Sequence, residues 1–339
     1  MIGMFSIVIN KGERVVEAEG GRSLLTTLAD SGIWLPSICG GTAACGECAC
    51  AARGSFAEPS SVERAMLGDE RLALGMRLAC SIVVSSDVEI ALPTELLAVR
   101  RRRVEVAAAR KIARDTRELV LDFGDEAPIF RPGQYLRAVV PPHRGLDEAV
   151  QRAYSFASAP GSTRVSIIVR RSPTGLASVW LHDSLRQGDS LDIVGPFGTF
   201  GVDEGEEPIL CVAGGTGLAP FFPILASMAS SGVIARRDVV LVFGVREVED
   251  LFGLEVFETL ARQAPRFRFV PVVQEPDATW TGAAGSVTDI AAALLDEAGE
   301  GASRWKAALC GSPGMVKACE RLLARHGIQG EAVRHDSFA

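Results

Sequence analysis

The sequence of 339 residues predicts a multidomain protein of mixed α+β and α/β class. Three observations support this prediction. A cysteine-rich loop follows a strand–helix pattern near the N-terminus, short strands separated by Gly and Pro fill the middle, and apolar strands alternate with helices in the last third. We therefore expect three domains, at residues 1–93, 100–203 and 206–339.

Composition and charge exclude several classes of function. The net charge of −7 argues against nucleic acid as a partner. Eight cysteines in a chain of this length are not typical of a disulfide framework, so we expect a reducing, cytoplasmic setting. Residues 208–235 contain no charge, but Gly214 to Gly217 and two prolines interrupt them. This interruption favours a buried strand, a glycine loop and a helix over a membrane span.

Four cysteines carry the strongest chemical signal: Cys39, Cys45, Cys48 and Cys80. Three thiolates in a Gly- and Ala-rich loop plus one remote thiolate can hold a [2Fe–2S] cluster, and the glycines let backbone N–H groups approach the sulfurs. The spacing C-x5-C-x2-C is one residue longer than the plant-type loop. Zinc is the alternative, but a zinc ribbon needs a second C-x2-C pair, and Cys80 stands alone. We expect Cys50 to be a buried thiol and not a ligand.

The section around this loop has the element order of a β-grasp fold. Residues 5–9 and 14–18 read as two strands joined by a hairpin turn at residues 11–12. Residues 24–29 have helical spacing behind an N-cap at Ser23. This order resembles the fold of [2Fe–2S] ferredoxins. Beyond a linker, four arginines at 100–103 either begin a solvated strand or form a positive patch that steers an acidic partner.

The middle section reads as an antiparallel β-barrel that binds a flavin. Strands are predicted near residues 118–123, 135–140, 164–169 and 190–194, with one helix at 176–185. A flavin needs a cation for its pyrophosphate, an aromatic ring over its own ring and a hydroxyl near N5. Arg152, Tyr154 and Ser155 supply these groups, and strand alternation places the first two on one face.

Two further kinds of turn are predicted to bind phosphate groups. The segment Gly175-Leu-Ala177-Ser178 opens the predicted helix, where free N–H groups attract phosphate and Ser178 adds a hydroxyl. In the last section, which reads as a parallel sheet covered on both faces, three glycine-containing segments follow strands. They contain Gly215, Thr216 and Gly217, then Arg246 and Glu247, then Cys310 and Gly311. All three lie at the strand ends where such sheets bind ligands.

In this order the motifs resemble the ferredoxin–NADP reductase superfamily. With the cysteine section in front, the chain is similar to single-chain NADH-dependent reductases of Rieske-type aromatic-ring dioxygenases and related monooxygenases. The resemblance implies that Arg152, Tyr154 and Ser155 contact FAD, with Ser155 near N5, and that Gly175, Ala177 and Ser178 hold its pyrophosphate. It implies that the dinucleotide is bound by Gly215, Thr216, Gly217, Arg246, Glu247 and Gly311. Cys310 is expected beside the nicotinamide, and Phe338 as the aromatic shield of the flavin.

The implied activity is electron transfer from NADH through FAD and the cluster to a ferredoxin or to a terminal oxygenase. Carboxylates at positions 247, 249 and 250 favour NADH, because they accept a hydrogen bond from the ribose 2′-OH and repel a 2′-phosphate. Two alternatives remain open. One is the flavin subunit of a sodium-pumping quinone reductase, which shares the C-x5-C-x2-C loop but carries an N-terminal hydrophobic anchor. The other is a redox-responsive regulatory protein. The longer loop leaves the electron acceptor open.

Overall fold

Three β-sheets organise the protein, whose computed structural model describes residues 3–37, 39–97, 99–143, 145 and 147–337. The chain forms two compact units. One contains Met1–Arg103, Leu136–Ala153 and Leu191–Phe197, and the other contains Val104–Tyr135, Tyr154–Ser190 and Gly198–Ala339. Among the helices of the described ranges, none has the length and apolar character needed to cross a bilayer.

The first sheet confirms the predicted hairpin, helix and cysteine loop. Its elements in chain order are β1 (Met4–Ile9), β2 (Arg14–Glu19), α1 (Leu24–Asp30), β3 (Ala49–Gly54), α2 (Ser61–Ala73), β4 (Met76–Leu78), β5 (Val88–Ala91) and α3 (Thr94–Leu97). The strand order is β2-β1-β5-β3-β4, with β1 antiparallel to β2 and parallel to β5. Ser23 caps α1 by accepting a hydrogen bond from the backbone N–H of Thr26. Leu24 and Leu28 of α1 then pack into the core of this sheet.

Helix α2 was not expected from the sequence. Ser60 caps it by accepting from the backbone N–H of Glu63, and Gly68 interrupts its helical geometry with φ of 72°. Its two buried side chains are Glu63 and Leu67. Because the charged residue Glu63 occupies one of these buried positions, the sequence lacks the regular apolar spacing that predicts a helix.

The middle section contains the predicted antiparallel strands. Its elements are β6 (Arg100–Ala113), β7 (Thr116–Asp122), β8 (Tyr135–Val140), β9 (Val150–Ser155), β10 (Arg164–Arg170), α4 (Leu176–Asp183) and β11 (Ser190–Phe197). Strand β7 is antiparallel to both β6 and β10, and β10 runs in register from Arg164 opposite Asp122 to Arg170 opposite Thr116. At the start of β6, Arg101 and Arg103 form ion pairs with Asp192 at 2.7 and 3.3 Å. The acidic-partner patch proposed for these arginines remains a prediction.

The last section is a doubly wound parallel sheet, as predicted. Its elements are β12 (Ile209–Gly214), α5 (Phe221–Ser230), β13 (Val239–Val245), α6 (Leu254–Gln263), β14 (Phe267–Val273), β15 (Ala283–Ala284), α7 (Val287–Ala298), β16 (Lys306–Gly311), α8 (Pro313–Arg325) and β17 (Val333–Ser337). The strand order is β15-β14-β13-β12-β16-β17, and its strand pairs are parallel. Separate apolar cores form on the two faces. The strand order reverses its direction along the sheet between β12 and β16, which is where such sheets bind nucleotides.

Candidate functional site

The four predicted cluster cysteines lie in the first unit as two close pairs. The Sγ atoms of Cys39 and Cys45 are 3.3 Å apart, and those of Cys48 and Cys80 are 3.4 Å apart. Within the described ranges, no three or more His, Cys, Asp or Glu side chains are grouped so that they could hold a metal ion. Two thiol pairs fit a [2Fe–2S] cluster, in which each iron takes two cysteine sulfurs. Cys50 is 2% exposed in the core, which confirms it as a buried thiol.

The cysteine loop directs hydrogen-bond donors at the first pair of sulfurs. Burial opposes ionisation of Cys39, but hydrogen bonds from Cys45, from Thr42 and from the backbone of Ala44 and Gly41 lower its pKa to about 6. Gly41 adopts a φ of 93°, which residues with a side chain rarely tolerate. The loop thus stabilises negative charge on the sulfur of Cys39, whereas burial raises the pKa of Cys45.

A buried ion pair lies close in the chain to the predicted remote ligand Cys80. Glu63 of α2 is 1% exposed and accepts hydrogen bonds from Nε of Arg77 at 2.8 Å, Nη2 of Arg77 at 3.1 Å and the backbone N–H of Leu78 at 2.9 Å. Burial alone would raise the pKa of Glu63, but these hydrogen bonds lower it below its usual value. Since Arg77 and Leu78 precede Cys80 by three and two residues, α2 holds the segment that leads to this predicted ligand.

Strand β9 carries the three residues predicted to contact the flavin. Ser155 is 3% exposed, and among the described residues its Oγ has no hydrogen-bond partner. A buried hydroxyl without a hydrogen-bond partner costs free energy unless a bound ligand supplies the partner. Arg152 is exposed and donates through Nη1 to the carbonyl of Gln151 at 2.8 Å, which leaves its other donors for a phosphate. Tyr154 is half-buried.

The N-terminus of α4 has the shape of a phosphate cradle. Its N-cap is Gly175, without a side-chain capping hydrogen bond. The Oγ of Ser178 accepts from the backbone N–H of Ser172 at 3.1 Å and shapes the turn. A Cβ atom on Gly175 would lie 2.5 Å from that Oγ, so a larger residue would displace the Ser178 side chain. Ala177, in the first turn, is buried. These residues fit the pyrophosphate of FAD, and their contact with it remains a prediction.

The glycine turn after β12 brings the predicted dinucleotide residues together. Gly215 adopts a φ of 54°, and a Cβ on Gly217 would overlap the backbone carbonyl of Cys310. Gly311 lies close to the end of β12, because a Cβ on Gly311 would be 3.3 Å from the Cα of Gly214. Gly215, Thr216 and Gly311 line a cleft of about 770 Å³ in the second unit. The cleft is large enough for a dinucleotide and has the backbone approach that its phosphates need.

In the second segment, after β13, the charged side chains pair with other residues of the second unit, and their contact with the dinucleotide remains a prediction. Arg246 lines the cleft and pairs with Glu275 at 3.1 Å. Glu247 pairs with Arg114, which also contacts Asp250 at 3.0 Å. This pairing lowers the pKa of Glu247. Of these two carboxylates, both of which pair with Arg114, only Asp250 is among the residues that line the cleft.

Cys310 lies at the carboxyl end of β16 beside an acidic residue that the sequence did not predict. Asp336 of β17 is its partner in the parallel register. Burial raises the pKa of Asp336 to about 6, and burial also raises the pKa of Cys310 well above its usual value. A single Asp near the C-terminus carries no local signal, and only the strand register reveals this neighbour. Phe338 lies outside the described residues.

Comparison with known families matches all three sections. Residues 7–85 match the 2Fe-2S iron-sulfur cluster binding domain, residues 103–201 the oxidoreductase FAD-binding domain and residues 211–321 the oxidoreductase NAD-binding domain. These matches confirm the predicted cofactors: a [2Fe–2S] cluster, FAD and NADH. They also confirm the β-grasp, β-barrel and nucleotide-binding fold classes.

Relatives of known function match along nearly the whole chain. The reductase subunit of an aromatic O-demethylase from Amycolatopsis sp. is 32% identical over 348 residues, which covers 98% of both chains. The xylene/toluene monooxygenase electron transfer component XylA of Pseudomonas putida is 33% identical and covers 94% of this chain and 89% of its own. The crystal structure of the Amycolatopsis cytochrome P450 reductase GcoB is 30% identical, with a TM-score of 0.77 and 98% of both chains covered. The chain therefore belongs to the NADH-dependent oxygenase reductases, which join a [2Fe–2S] ferredoxin domain to the FAD- and NAD-binding domains of the ferredoxin–NADP reductase superfamily.

Proposed function

We propose that this protein carries electrons from NADH to the oxygenase of a system that acts on aromatic compounds, directly or through a ferredoxin. The observation that carries the proposal is the presence of two thiol pairs for a cluster on the same chain as a dinucleotide cleft. The relatives named for an aromatic O-demethylase, a xylene/toluene monooxygenase and a toluate dioxygenase support this choice of acceptor.

The residues of the chain would bind and orient the cofactors, and these groups would supply hydride acceptance and single-electron transfer when bound. The glycine turn at 215–217 leaves space for the dinucleotide phosphates, and the backbone of buried Cys310 lies close to Gly217 of this turn. Ser155 offers a buried hydroxyl. In the ferredoxin domain, Thr42 and Ala44 are exposed, so one side of the cysteine loop is open to an acceptor protein.

A quinone reductase is the second candidate acceptor system. One component of the Na⁺-translocating NADH-quinone reductase from Neisseria meningitidis is 26% identical over 376 residues. The oxygenase relatives have higher identity, at 30 to 33%. An oxygenase acceptor is therefore favoured. The cytoplasmic location remains a prediction.

The route through the cluster is tested with Cys39→Ser in the full-length protein. We expect the variant to lose the cluster, to keep FAD and to keep NADH-driven reduction of ferricyanide. It should lose reduction of cytochrome c and of a purified aromatic-ring oxygenase that the wild-type protein reduces. Cys50→Ser is the matched control and should keep all of these activities. Reduction of the oxygenase at the wild-type rate by Cys39→Ser would contradict the proposed route.

The acceptor is tested by reconstitution. The wild-type protein, combined with a purified aromatic-ring oxygenase, should couple NADH oxidation to oxygenation of an aromatic substrate. Efficient reduction of a water-soluble quinone, together with no coupling to the oxygenase, would favour the respiratory alternative.

A further inference from the structure

One arginine of the middle section contacts three carboxylates that follow β13. Arg114 lies in the turn between β6 and β7, in the part of the chain that matches the FAD-binding domain. Its guanidinium pairs with Glu247, with Asp250 at 3.0 Å and with Glu249 at 3.8 Å. These carboxylates belong to the part that matches the NAD-binding domain. The contact therefore joins the two nucleotide-binding sections within the second unit.

Backbone hydrogen bonds connect the same two segments. The backbone N–H of Arg114 donates to the carbonyl of Glu249 at 3.0 Å. Residues 248–250 form a 3-10 turn, in which the side chains of Glu247 and Asp250 each accept a hydrogen bond from the backbone N–H of the other. Three carboxylates within four residues repel one another, and the guanidinium compensates that repulsion. The position of this turn therefore depends on Arg114.

Asp250 is the carboxylate of this group that faces the ligand. It lines the dinucleotide cleft, and its side chain is 17% exposed. Glu249, in contrast, is 71% exposed and is not among the described residues that line the cleft. An acidic residue in this region of such a sheet can accept a hydrogen bond from a ribose 2′-OH. Without Arg114, the carboxylate of Asp250 would keep only its contact with the N–H of Glu247, at 3.4 Å, among the described residues.

We propose that Arg114 is a positioning residue for recognition of the adenosine ribose: it holds Asp250 in the cleft wall, where the carboxylate accepts a hydrogen bond from the 2′-OH. Arg114 acts through Asp250, since it is not itself among the described residues that line the cleft. A guanidinium suits this role because its fork of donors contacts several carboxylates, whereas an ammonium is a point charge. The inference rests on the proposed binding of NADH in this cleft and does not depend on the identity of the electron acceptor.

Two other roles for Arg114 predict different results. If it only joins the two sections, its removal weakens the binding of every dinucleotide ligand by the same factor. If it leaves its carboxylates to bind a 2′-phosphate, its removal weakens only a 2′-phosphorylated ligand. Ligands that differ at the 2′ position alone therefore distinguish the three roles.

The experiment measures three ligands by calorimetry with the full-length holoenzyme. They are ADP-ribose, 2′-deoxy-ADP-ribose, which lacks only the adenosine 2′-OH, and 2′-phospho-ADP-ribose. The variants are Arg114→Ala, Arg114→Lys and Asp250→Ala. The matched control is Arg110→Ala, on β6, where the side chain is 69% exposed and pairs with Glu118 at 3.8 Å. FAD content and the kcat with saturating NADH and ferricyanide are measured for each variant.

We expect the wild-type protein to bind ADP-ribose about tenfold more tightly than the 2′-deoxy analogue, the range of a hydrogen bond to a charged group. Arg114→Ala should reduce this preference to about twofold or less and leave the affinity for the 2′-deoxy analogue nearly unchanged. Asp250→Ala should show the same loss, and Arg114→Lys should keep part of the preference. Arg110→Ala should match the wild type, and FAD content and kcat should be unchanged in all variants.

Three results with Arg114→Ala would each overturn the proposal: an unchanged preference for the 2′-OH, an equal loss for all ligands, or a loss confined to 2′-phospho-ADP-ribose. If Arg114→Ala does not fold, the comparison is made with Arg114→Lys, and a full wild-type preference there would overturn it. Wild-type protein that does not bind ADP-ribose would refute the assignment of the cleft itself, and the role of Arg114 with it.

Discussion

The buried carboxylate of Glu63 gives the sharpest test of how the fold supports the cluster. Replacing it by Ala removes three hydrogen bonds, two to Arg77 and one to the backbone of Leu78. The side chain of Arg77 is only 11% exposed and would lose its charge partner. Breaking a buried ion pair in this way costs about 3–5 kcal/mol. Arg77 keeps a hydrogen bond to the carbonyl of Ala57 and a contact with the ring of Phe56, so we expect the lower end, about 3 kcal/mol.

The consequence is measured as cluster release. If the cluster is lost through opening of the contact between α2 and β4, about 3 kcal/mol corresponds to roughly a hundredfold faster release. The assay is the rate of iron release to a ferrous chelator, followed together with bleaching of the cluster absorbance. Glu70→Ala, at an exposed position of the same helix, is the control and should behave as the wild type. Equal release rates from Glu63→Ala and Glu70→Ala would show that this ion pair does not protect the cluster.

Three further predictions concern the nucleotide domain. NADH should be preferred to NADPH by about tenfold in kcat/KM, about 1.4 kcal/mol, because Asp250 lines the cleft; equal values would contradict this. Gly217→Ala should lower NADH–ferricyanide activity at least about tenfold, because its Cβ would overlap the carbonyl of Cys310. The control Gly314→Ala, whose Cβ would meet no atom within 4 Å, should have little effect. Burial raises the pKa of Asp336 to about 6, so the folded state binds this proton more tightly than the unfolded chain, and stability is lost as pH rises through that pKa. Asp336→Asn should therefore stabilise β17 by at most about 3 kcal/mol near pH 8 and hardly at all near pH 4. Hydrogen exchange of the β16 and β17 amides measures this difference. An equal effect at both pH values would count against the prediction.

The amino-acid sequence alone was sufficient to predict the chemistry of the ferredoxin domain and the class of each fold. Cysteine spacing is a local property, so the positions of Cys39, Cys45 and Cys48 in the chain already indicate a cluster. Apolar strands such as residues 209–213 likewise identify a sheet buried on both faces, because side-chain periodicity is set by the backbone of the strand itself. The glycine turn at 215–217 could be recognised for the same reason: a strand followed by such a turn is a contiguous motif.

Which charged groups remain free for ligands depends instead on tertiary packing. Glu247 is diverted to Arg114, which is 133 residues away in the chain, and Asp336 meets Cys310 through the register of two parallel strands. The sequence does not show that Glu63 is a core residue, because its partner Arg77 lies on a different element. Such pairings depend on which elements pack together, and the local spacing of apolar residues in the sequence does not predict them. The charge that a cleft offers to its ligand is therefore the sum left after these long-range pairs form.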